Sequence, residues 1–253
     1  MNKIDIIPND IYNIDCLDGM RKLPDNSIDC IITDPPYGVE FSKGFDDSKE
    51  HILNCISSWL SEMYRLLKPN CHCYIFIPTK EVTLWLCEIE KVFQINNILA
   101  TRTYTSSNYV KNNFQFNTQL VVYCSKGTAK AFNKVDFFKT SEAWFNDKRN
   151  KNPKEYTYSY PAFIQNVFGN TKANAQTKDR HPCEKNPELI EFLIKISTNE
   201  NELVLEPFVG GASTIIACIN AKRQFIGFEL SEEYYHMATK RIKRCSGGDP
   251  NDN

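Results

Sequence analysis

The chain has 253 residues, of which 42% are apolar and 24% charged, and its formal net charge at pH 7 is −1. This balance is typical of a globular protein with one large domain or two small ones, since a domain averages about 150 residues. No apolar run approaches the roughly 18 residues of a membrane-spanning helix, and the N-terminus lacks the apolar segment of a secretory signal. We therefore expect a cytoplasmic protein, without a membrane anchor, whose ten cysteines are reduced.

The cysteine spacing does not indicate a metal site. The closest cluster is Cys71-His72-Cys73, inside an apolar run that reads as a strand. Strand alternation places the two cysteines on one face and His72 on the other, so the three side chains cannot converge on one ion. We expect these cysteines to be small buried residues.

Charge is distributed unevenly along the chain. Residues 102–185 contain 14 basic and 6 acidic side chains, whereas the rest of the chain contains 16 basic and 25 acidic ones. The basic segment also holds many aromatic residues, among them Tyr109, Trp144 and Tyr156. Basic and aromatic side chains together suit phosphate contact and base stacking. On this pattern alone, a nucleic-acid interface and a solvated lysine-rich insertion are equally compatible.

Apolar periodicity predicts strands and helices that alternate along most of the chain. In chain order these are strands at 11–14 and 27–33, a helix at 51–67, a strand at 71–77, a helix at 80–90, and strands at 95–104 and 120–124. Residues 126–180 show no sustained period. A helix then opens at Asn186-Pro187-Glu188, followed by a strand at 203–205, a helix at 212–221, a strand at 224–230 and a last helix capped by Ser231. The alternation predicts an α/β fold with a mostly parallel sheet.

The first motif that carries chemistry is Asp34-Pro35-Pro36-Tyr37, directly after the buried strand predicted at 27–33. Ligands of open α/β sheets bind at the carboxyl ends of the strands. The two prolines end the strand, stiffen the loop and remove two N–H donors. The loop thus offers a site for a planar amine. Asp34 and the Pro35 carbonyl can accept its hydrogen bonds, and Tyr37 can stack on its ring.

The second motif is the segment 203–213, LVLEPFVGGAS, in which a strand, small residues and a helix N-terminus follow one another. Such a turn cradles a cofactor. It lacks the GxGxxG pattern and the Walker lysine, so a phosphate ligand is not indicated. Glu229 ends the next strand, at the position where an acid binds ribose hydroxyls in dinucleotide folds.

Taken together and in this order, the motifs resemble those of the β-class DNA amino-methyltransferases, most closely the adenine-N6 branch. The resemblance covers nearly the whole chain, since that class has its catalytic tetrapeptide early and its S-adenosylmethionine turn late. It implies a Rossmann-like methyltransferase fold, a seven-stranded mostly parallel sheet with a small inserted target-recognition region. The implied divisions are a catalytic half at 1–125, the target-recognition insertion at 126–180, a cofactor-binding half at 181–244 and a disordered tail at 245–253.

The resemblance also assigns roles to individual residues and implies no metal. The catalytic residues are Asp34, Pro35, Pro36 and Tyr37. The S-adenosylmethionine-binding residues are Asp15, Cys16, Asp34, His181, Lys185, Glu206, Phe208, Gly210, Gly211, Ser213 and Glu229. From the basic segment, Lys148, Arg149, Lys151 and Lys154 are the candidate DNA contacts.

The implied activity is methyl transfer from S-adenosylmethionine to the N6 amine of an adenine flipped out of duplex DNA, at a specific site. A cognate restriction endonuclease and a homodimer are both compatible with the resemblance. Cytosine-N4 transfer is the nearest alternative, although a tetrapeptide that begins with Asp favours adenine. A methyltransferase acting on small molecules or proteins fits poorly, because the basic segment would have no use.

The chain departs from the family pattern at several positions of these motifs. Glu206 replaces the usual Asp, and Gly210-Gly211-Ala212-Ser213 replaces Gly-Ser-Gly-Thr. Lys185 is followed by Asn186 before Pro187, and Gln119 stands where an acid usually precedes the seventh strand. Because alanine is unfavourable at positive φ, we expect the turn to bend differently. The changes at Glu206 and Ala212 leave open a catalytically silent, DNA-binding subunit.

Overall fold

A computed structural model describes residues 6–38, 48–102, 118–133, 135, 185 and 187–245 of the chain. The strands are β1 (Asp10–Tyr12), β2 (Ile28–Thr33), β3 (Leu67–Ile77), β4 (Gln94–Arg102), β5 (Thr118–Ser125), β6 (Leu203–Glu206) and β7 (Gln224–Phe228). The helices are α1 (Cys16–Met20), α2 (Lys49–Leu66), α3 (Val82–Glu90), α4 (Pro187–Ser197), α5 (Ser213–Asn220) and α6 (Glu232–Cys245). None of these helices is both long enough and apolar enough to cross a membrane.

The strands form one sheet in the order β1-β7-β6-β2-β3-β5-β4. The pairs from β1 to β3 are parallel, whereas β5 runs antiparallel to both β3 and β4. The expected seven-stranded, mostly parallel α/β sheet is thereby confirmed. The strand that follows β2 in the chain, β3, lies on one side of the β6–β2 pair, and the strand that follows β6, β7, lies on the opposite side. The adjacent strands β2 and β6 therefore flank the crevice where open sheets bind their ligands.

Helices cover both faces of the sheet, which explains why its central strands are continuously apolar. On one face α1, α2 and α3 pack through residues such as Met20, Ile56 and Trp85. On the other face α4, α5 and α6 pack through residues such as Phe192, Ile215 and Ala238. Every residue of β2 is buried, so the tetrapeptide that follows it starts from a rigid position.

Two local features differ from the sequence-based expectation. Helix α1 lacks an obvious periodic pattern and forms because Asp15 caps it, accepting hydrogen bonds from the amides of Leu17 at 2.8 Å and Asp18 at 3.3 Å. Strand β3 begins at Leu67 instead of residue 71, directly at the end of α2. The reason is pairing, because Leu67 lies opposite Ile28 of β2 and so extends the strand across Pro69.

The side chains of β3 point alternately to the two faces of the sheet, as the sequence predicts. Cys71 and Cys73 pack in the core on the face of α2, and both are buried as expected. His72 points to the other face and is also buried, with Nδ1 2.9 Å from the Ser197 hydroxyl and Nε2 2.9 Å from the Lys130 carbonyl. No metal-binding group of three His, Cys, Asp or Glu side chains occurs in the described parts of the chain.

Residues 126–133, the start of the proposed target-recognition insertion, pack on the sheet domain. Lys126 donates from Nζ to Asn26 Oδ1 and to the Tyr64 carbonyl, each at 2.8 Å, and so caps the end of α2. Asn133 donates to the Thr198 carbonyl at 2.8 Å, just after α4. Apart from residue 135, the rest of this insertion lies outside the described residues, as do the boundary at 181 and residues 246–253.

Candidate active site

The tetrapeptide Asp34-Pro35-Pro36-Tyr37 lies at the carboxyl end of β2, at the crevice between β2 and β6. Asp34 Oδ2 is 2.7 Å from Nζ of Lys185. Its other oxygen, Oδ1, accepts a hydrogen bond from the Tyr37 hydroxyl. Both carboxylate oxygens thus have a partner within the protein. An amine that binds Asp34 must use the remaining lone pairs or displace one of these partners.

Lys185 is the only described residue between 136 and 186, and it lies inside this site. Its ammonium group lies 5.3 Å from the centre of the Phe76 ring and 5.7 Å from that of Tyr37, in addition to its ion pair with Asp34. The group therefore has an opposite charge and two aromatic faces to compensate for partial burial. The sequence predicted Lys185 as a site residue but gave no indication of its contact with Asp34.

Gln119, near the start of β5, reaches the same cluster. Its Nε2 donates to the Tyr37 hydroxyl at 3.1 Å and to the Ile77 carbonyl at 2.9 Å, and its Oε1 lies 3.4 Å from Lys185 Nζ. In the sequence, Gln119 is notable only as a departure from the family pattern. Its neighbours in space are 42 to 82 positions away in sequence, so no local pattern could have revealed them.

Glu206, the last residue of β6, is a fully buried carboxylate beside the tetrapeptide. It accepts hydrogen bonds from the Phe208 amide at 3.1 Å and the Thr214 hydroxyl at 2.8 Å. Burial raises the pKa of Glu206 to about 8, and the two hydrogen bonds oppose this rise. Through these contacts Glu206 ties the end of β6 to the first turn of α5.

The turn between β6 and α5 is compact and uses two left-handed residues. Gly210 has φ 48° and Ala212 has φ 63°, so the alanine adopts a left-handed conformation that is unfavourable for a residue with a Cβ atom. Ala212 precedes α5 without a side-chain cap, which leaves the amide end of the helix directed at the crevice. Arg241 of α6 also donates to the Gly211 carbonyl and so supports the turn from behind.

Glu229 lies just after β7 and contacts this turn. Its Oε2 accepts from the Gly210 amide at 2.7 Å, and its Oε1 accepts from the Ser231 amide at 2.9 Å. Burial raises the pKa of Glu229, whereas these two hydrogen bonds act to lower it. The carboxylate retains lone pairs for further donors such as hydroxyl groups.

These elements line a pocket that is partly open to solvent, and its empty space, open solvent included, is about 470 Å³. Its lining combines carboxylates, one ammonium group, backbone of the turn and apolar side chains: Asp34, Phe76, Lys185, Ile190, Glu206, Phe208, Val209, Gly210, Gly211, Ser213 and Thr214. Phe76, Ile190, Val209 and Thr214 were not among the predicted site residues. The first three read as ordinary apolar core positions of a strand, a helix and a turn, and Thr214 as a residue in the first turn of a helix.

The structure thus brings most of the predicted cofactor residues together around the pocket, with three exceptions among the described ones: Asp15, Cys16 and Glu229 do not line it. Glu229 contacts the lining residue Gly210 through a hydrogen bond. Asp15 caps α1, and Cys16 is buried in the core beneath α2, where burial raises the pKa of its thiol. His181 and the candidate DNA contacts Lys148, Arg149, Lys151 and Lys154 lie outside the described residues.

The donor set of the pocket fits S-adenosylmethionine. That molecule carries a carboxylate, which suits the ammonium group of Lys185, and cationic groups, which suit the carboxylate of Asp34. The apolar residues Phe76, Ile190 and Phe208 offer surface for the uncharged parts of such a ligand.

Comparisons with known proteins agree with this chemistry. The DNA methylase family of N6/N4 methyltransferases matches residues 28–240 of the chain. The type II methyltransferase M.HpaI of Haemophilus parainfluenzae is 29% identical over 233 residues, which cover 88% of this chain and 71% of that protein. The DNA adenine methyltransferase YhdJ of Escherichia coli (strain K12) is 25% identical, with 93% of this chain and 83% of that protein covered.

Solved structures show the same fold. The complex of M1.HpyAVI with S-adenosylmethionine has a TM-score of 0.61 and 26% identity, covering 91% of this chain and 98% of that one. The cytosine-N4-specific PvuII DNA methyltransferase has a TM-score of 0.70 at 17% identity, covering 94% and 90%, which is a likeness of fold. The family resemblance expected from the motifs is confirmed. The chain therefore belongs to the N6/N4 family of DNA methyltransferases, and its methyl donor is S-adenosylmethionine.

Proposed function

We propose that this protein methylates the N6 amine of adenine in duplex DNA at a specific sequence. The observation that carries the proposal is the position of Asp34, an acceptor for amine hydrogens, which lines the cofactor pocket and is hydrogen-bonded to the Tyr37 hydroxyl. The relative YhdJ, named as a DNA adenine methyltransferase, lends further support.

The residues of the tetrapeptide act on the target amine. Its lone pair is delocalised into the base, so the nitrogen is a weak nucleophile. Hydrogen bonds to Asp34 and to the Pro35 carbonyl hold both N–H groups and favour a more tetrahedral nitrogen. The bound cofactor supplies an electrophilic methyl group on a sulfonium. Asp34 or solvent can then accept the proton that the amine loses.

The ring of Tyr37 compensates for the cost of extracting the base from the duplex. Flipping a base costs a few kcal/mol, and stacking on an aromatic side chain returns roughly 1–3 kcal/mol. Alignment of the amine with the methyl group provides the remaining acceleration, since holding reactants in line lowers the entropic part of the barrier.

We further propose that Glu206, Phe208, Gly210, Gly211, Ser213 and Glu229 hold the cofactor, with Glu229 directed at its ribose hydroxyls. Lys185 binds its carboxylate. The basic segment within 126–180 contacts DNA through Lys148, Arg149, Lys151 and Lys154.

The decisive experiment uses genomic DNA from a bacterial strain without DNA methylation. The protein and S-adenosylmethionine are incubated with this DNA, which is then digested to nucleosides and measured by mass spectrometry. N6-methyladenine is the expected product. N4-methylcytosine would replace the adenine proposal with the cytosine alternative, and absence of both, together with DNA binding, would identify a silent subunit. Sequencing of the modified positions then gives the recognised site.

A further inference from the structure

The orientation of the Gln119 side chain is fixed by its surroundings. The Ile77 carbonyl can only accept a hydrogen bond, so the atom 2.9 Å from it must be the amide nitrogen. The second hydrogen of that nitrogen is directed at the Tyr37 hydroxyl, 3.1 Å away. The amide oxygen then faces Lys185.

This orientation determines the direction of the next hydrogen bond. Since the Tyr37 oxygen accepts from Gln119, its own hydrogen is available for Asp34, whose Oδ1 it contacts. Gln119 thus sets the hydroxyl rotor of Tyr37 and directs it at Asp34. Among the described residues, Tyr37 and Lys185 link the Gln119 side chain to Asp34.

An acid at position 119 could not do the same. A carboxylate has no hydrogen for the Ile77 carbonyl or the Tyr37 hydroxyl, and it would compete with Asp34 for Lys185. This arrangement of hydrogen bonds therefore requires the amide group of a glutamine at this position.

We infer that Gln119 is a positioning residue for methyl transfer, which acts by fixing the Tyr37 hydroxyl on Asp34. This inference rests on the proposed function, because Tyr37 and Asp34 must contact the target amine. Loss of the Gln119 side chain should therefore lower kcat and have little effect on cofactor affinity or on folding.

The first test compares Gln119→Leu with Gln119→Glu, and uses Gln94→Leu as the matched control. Gln94 is an exposed glutamine on the neighbouring edge strand β4, and it is paired with Ser125 at the far end of β5. Methyl transfer to unmethylated genomic DNA gives kcat and KM. Calorimetry gives the Kd for S-adenosylmethionine, and thermal melting gives the folded fraction.

We expect Gln119→Leu to lower kcat about tenfold, the factor for one to two ordinary hydrogen bonds, while the cofactor Kd stays within about threefold. Gln119→Glu should lower kcat further, although it is isosteric, because the new carboxylate draws Lys185 away from Asp34. Gln94→Leu should match the wild type. A kcat within about twofold of wild type in folded Gln119→Leu would overturn the inference.

The second test asks whether Gln119 acts through the Tyr37 hydroxyl. Tyr37→Phe removes this hydroxyl and keeps the ring, and it should lower kcat at least as much as Gln119→Leu. Adding Gln119→Leu to Tyr37→Phe should then change kcat by less than about twofold, because coupled residues are not additive. Additive losses, or a Tyr37→Phe variant with normal kcat, would contradict the inference.

A third measurement needs no cofactor or DNA. In protein labelled with [13Cζ]tyrosine, the NMR signal of Tyr37 is the one absent from Tyr37→Phe. It should shift in Gln119→Leu and remain in place in Gln94→Leu. Wild-type protein without any methyl transfer would refute the proposed function itself, whereas active wild type with an unshifted Tyr37 signal would refute only the role of Gln119.

Discussion

At the scale of single residues, the site contains two carboxylates with different environments. Asp34 has a cationic partner at 2.7 Å, whereas Glu206 is fully buried and accepts from a backbone amide and a hydroxyl, which are neutral donors. The environment of Asp34, beside an ammonium group, suits an acceptor for an amine. That of Glu206 favours the neutral acid, which suits a residue that holds the turn together.

Replacement of Asp34 separates its role from cofactor binding. Asp34→Ala should lower the rate of methyl transfer by about 100-fold, since a hydrogen bond to a charged group contributes about 1.5–3 kcal/mol. The Kd for S-adenosylmethionine, measured by calorimetry, should stay within about fivefold. A variant with normal turnover would remove Asp34 from the reaction.

The buried carboxyl of Glu206 should make stability depend on pH. Its pKa in the folded protein is about 8, against 4.5 as the ordinary value. Between these pH values the unfolded chain loses a proton that the folded protein retains, so this group's contribution to stability falls as pH rises from about 4.5 to about 8. Urea unfolding at pH 5 and pH 8 should show this loss in the wild type.

Glu206→Gln provides the comparison, because it keeps the shape and removes the titration. The wild type should lose more stability between pH 5 and pH 8 than the variant does. Equal losses in the two proteins would mean that Glu206 is ionised throughout this range.

At the scale of elements, the turn between β6 and α5 shows how a departure in sequence is accommodated. Ala212 has a left-handed backbone at φ 63°, a conformation that costs an alanine about 1–2 kcal/mol. Its methyl group is buried and returns about 0.8 kcal/mol. The fold accepts the strain because the flanking residues are fixed by Glu206 and Glu229.

Because these terms oppose each other, a glycine substitution at Ala212 should change the stability unusually little. Ala212→Gly relieves the strain but loses the buried methyl group and gives the unfolded chain more freedom, so stability should change by no more than about 1 kcal/mol. Ala217→Gly, at a buried position inside α5, relieves no strain and should cost about 2 kcal/mol. Urea denaturation of both variants checks this contrast. Equal losses would mean that Ala212 is not strained.

At the scale of the whole molecule, the basic segment divides into residues that stabilise the sheet domain and residues that are candidates for DNA contact. Lys126 caps α2, and Lys130 Nζ lies 3.9 Å from Glu202. Their charges are thus engaged within the protein. The candidates for phosphate contact are the basic residues further along the chain.

Neutralisation of Lys148, Arg149 and Lys151 together tests the proposed DNA interface. Plots of log affinity against log salt should become shallower by about 0.9 for each phosphate that the triple variant no longer neutralises. Binding of free S-adenosylmethionine should be unaffected. Lys126→Met is the matched control and should give a line parallel to that of the wild type. A triple variant with the wild-type slope would exclude these residues from the interface.

The sequence by itself determined those features that depend on neighbours along the chain. Asp34, Glu206 and Glu229 each end or follow a short apolar run, and parallel strands bring their carboxyl ends to one edge of the sheet. The motif order was equally readable, and the family followed from it. These features need only strand ends and parallel pairing, without any knowledge of side-chain contacts.

Only the tertiary structure decided which side chains meet. Tyr37 and Gln119 are 82 positions apart, and the register of β5 against β3 brings them together. Tertiary packing also places the ammonium group of Lys126 at the end of α2. The structure further shows that Asp15 caps α1, in addition to any contact it makes with a ligand. A shift of one residue in a strand reverses the direction of every side chain, so such contacts depend on register, which the packing of the whole sheet fixes.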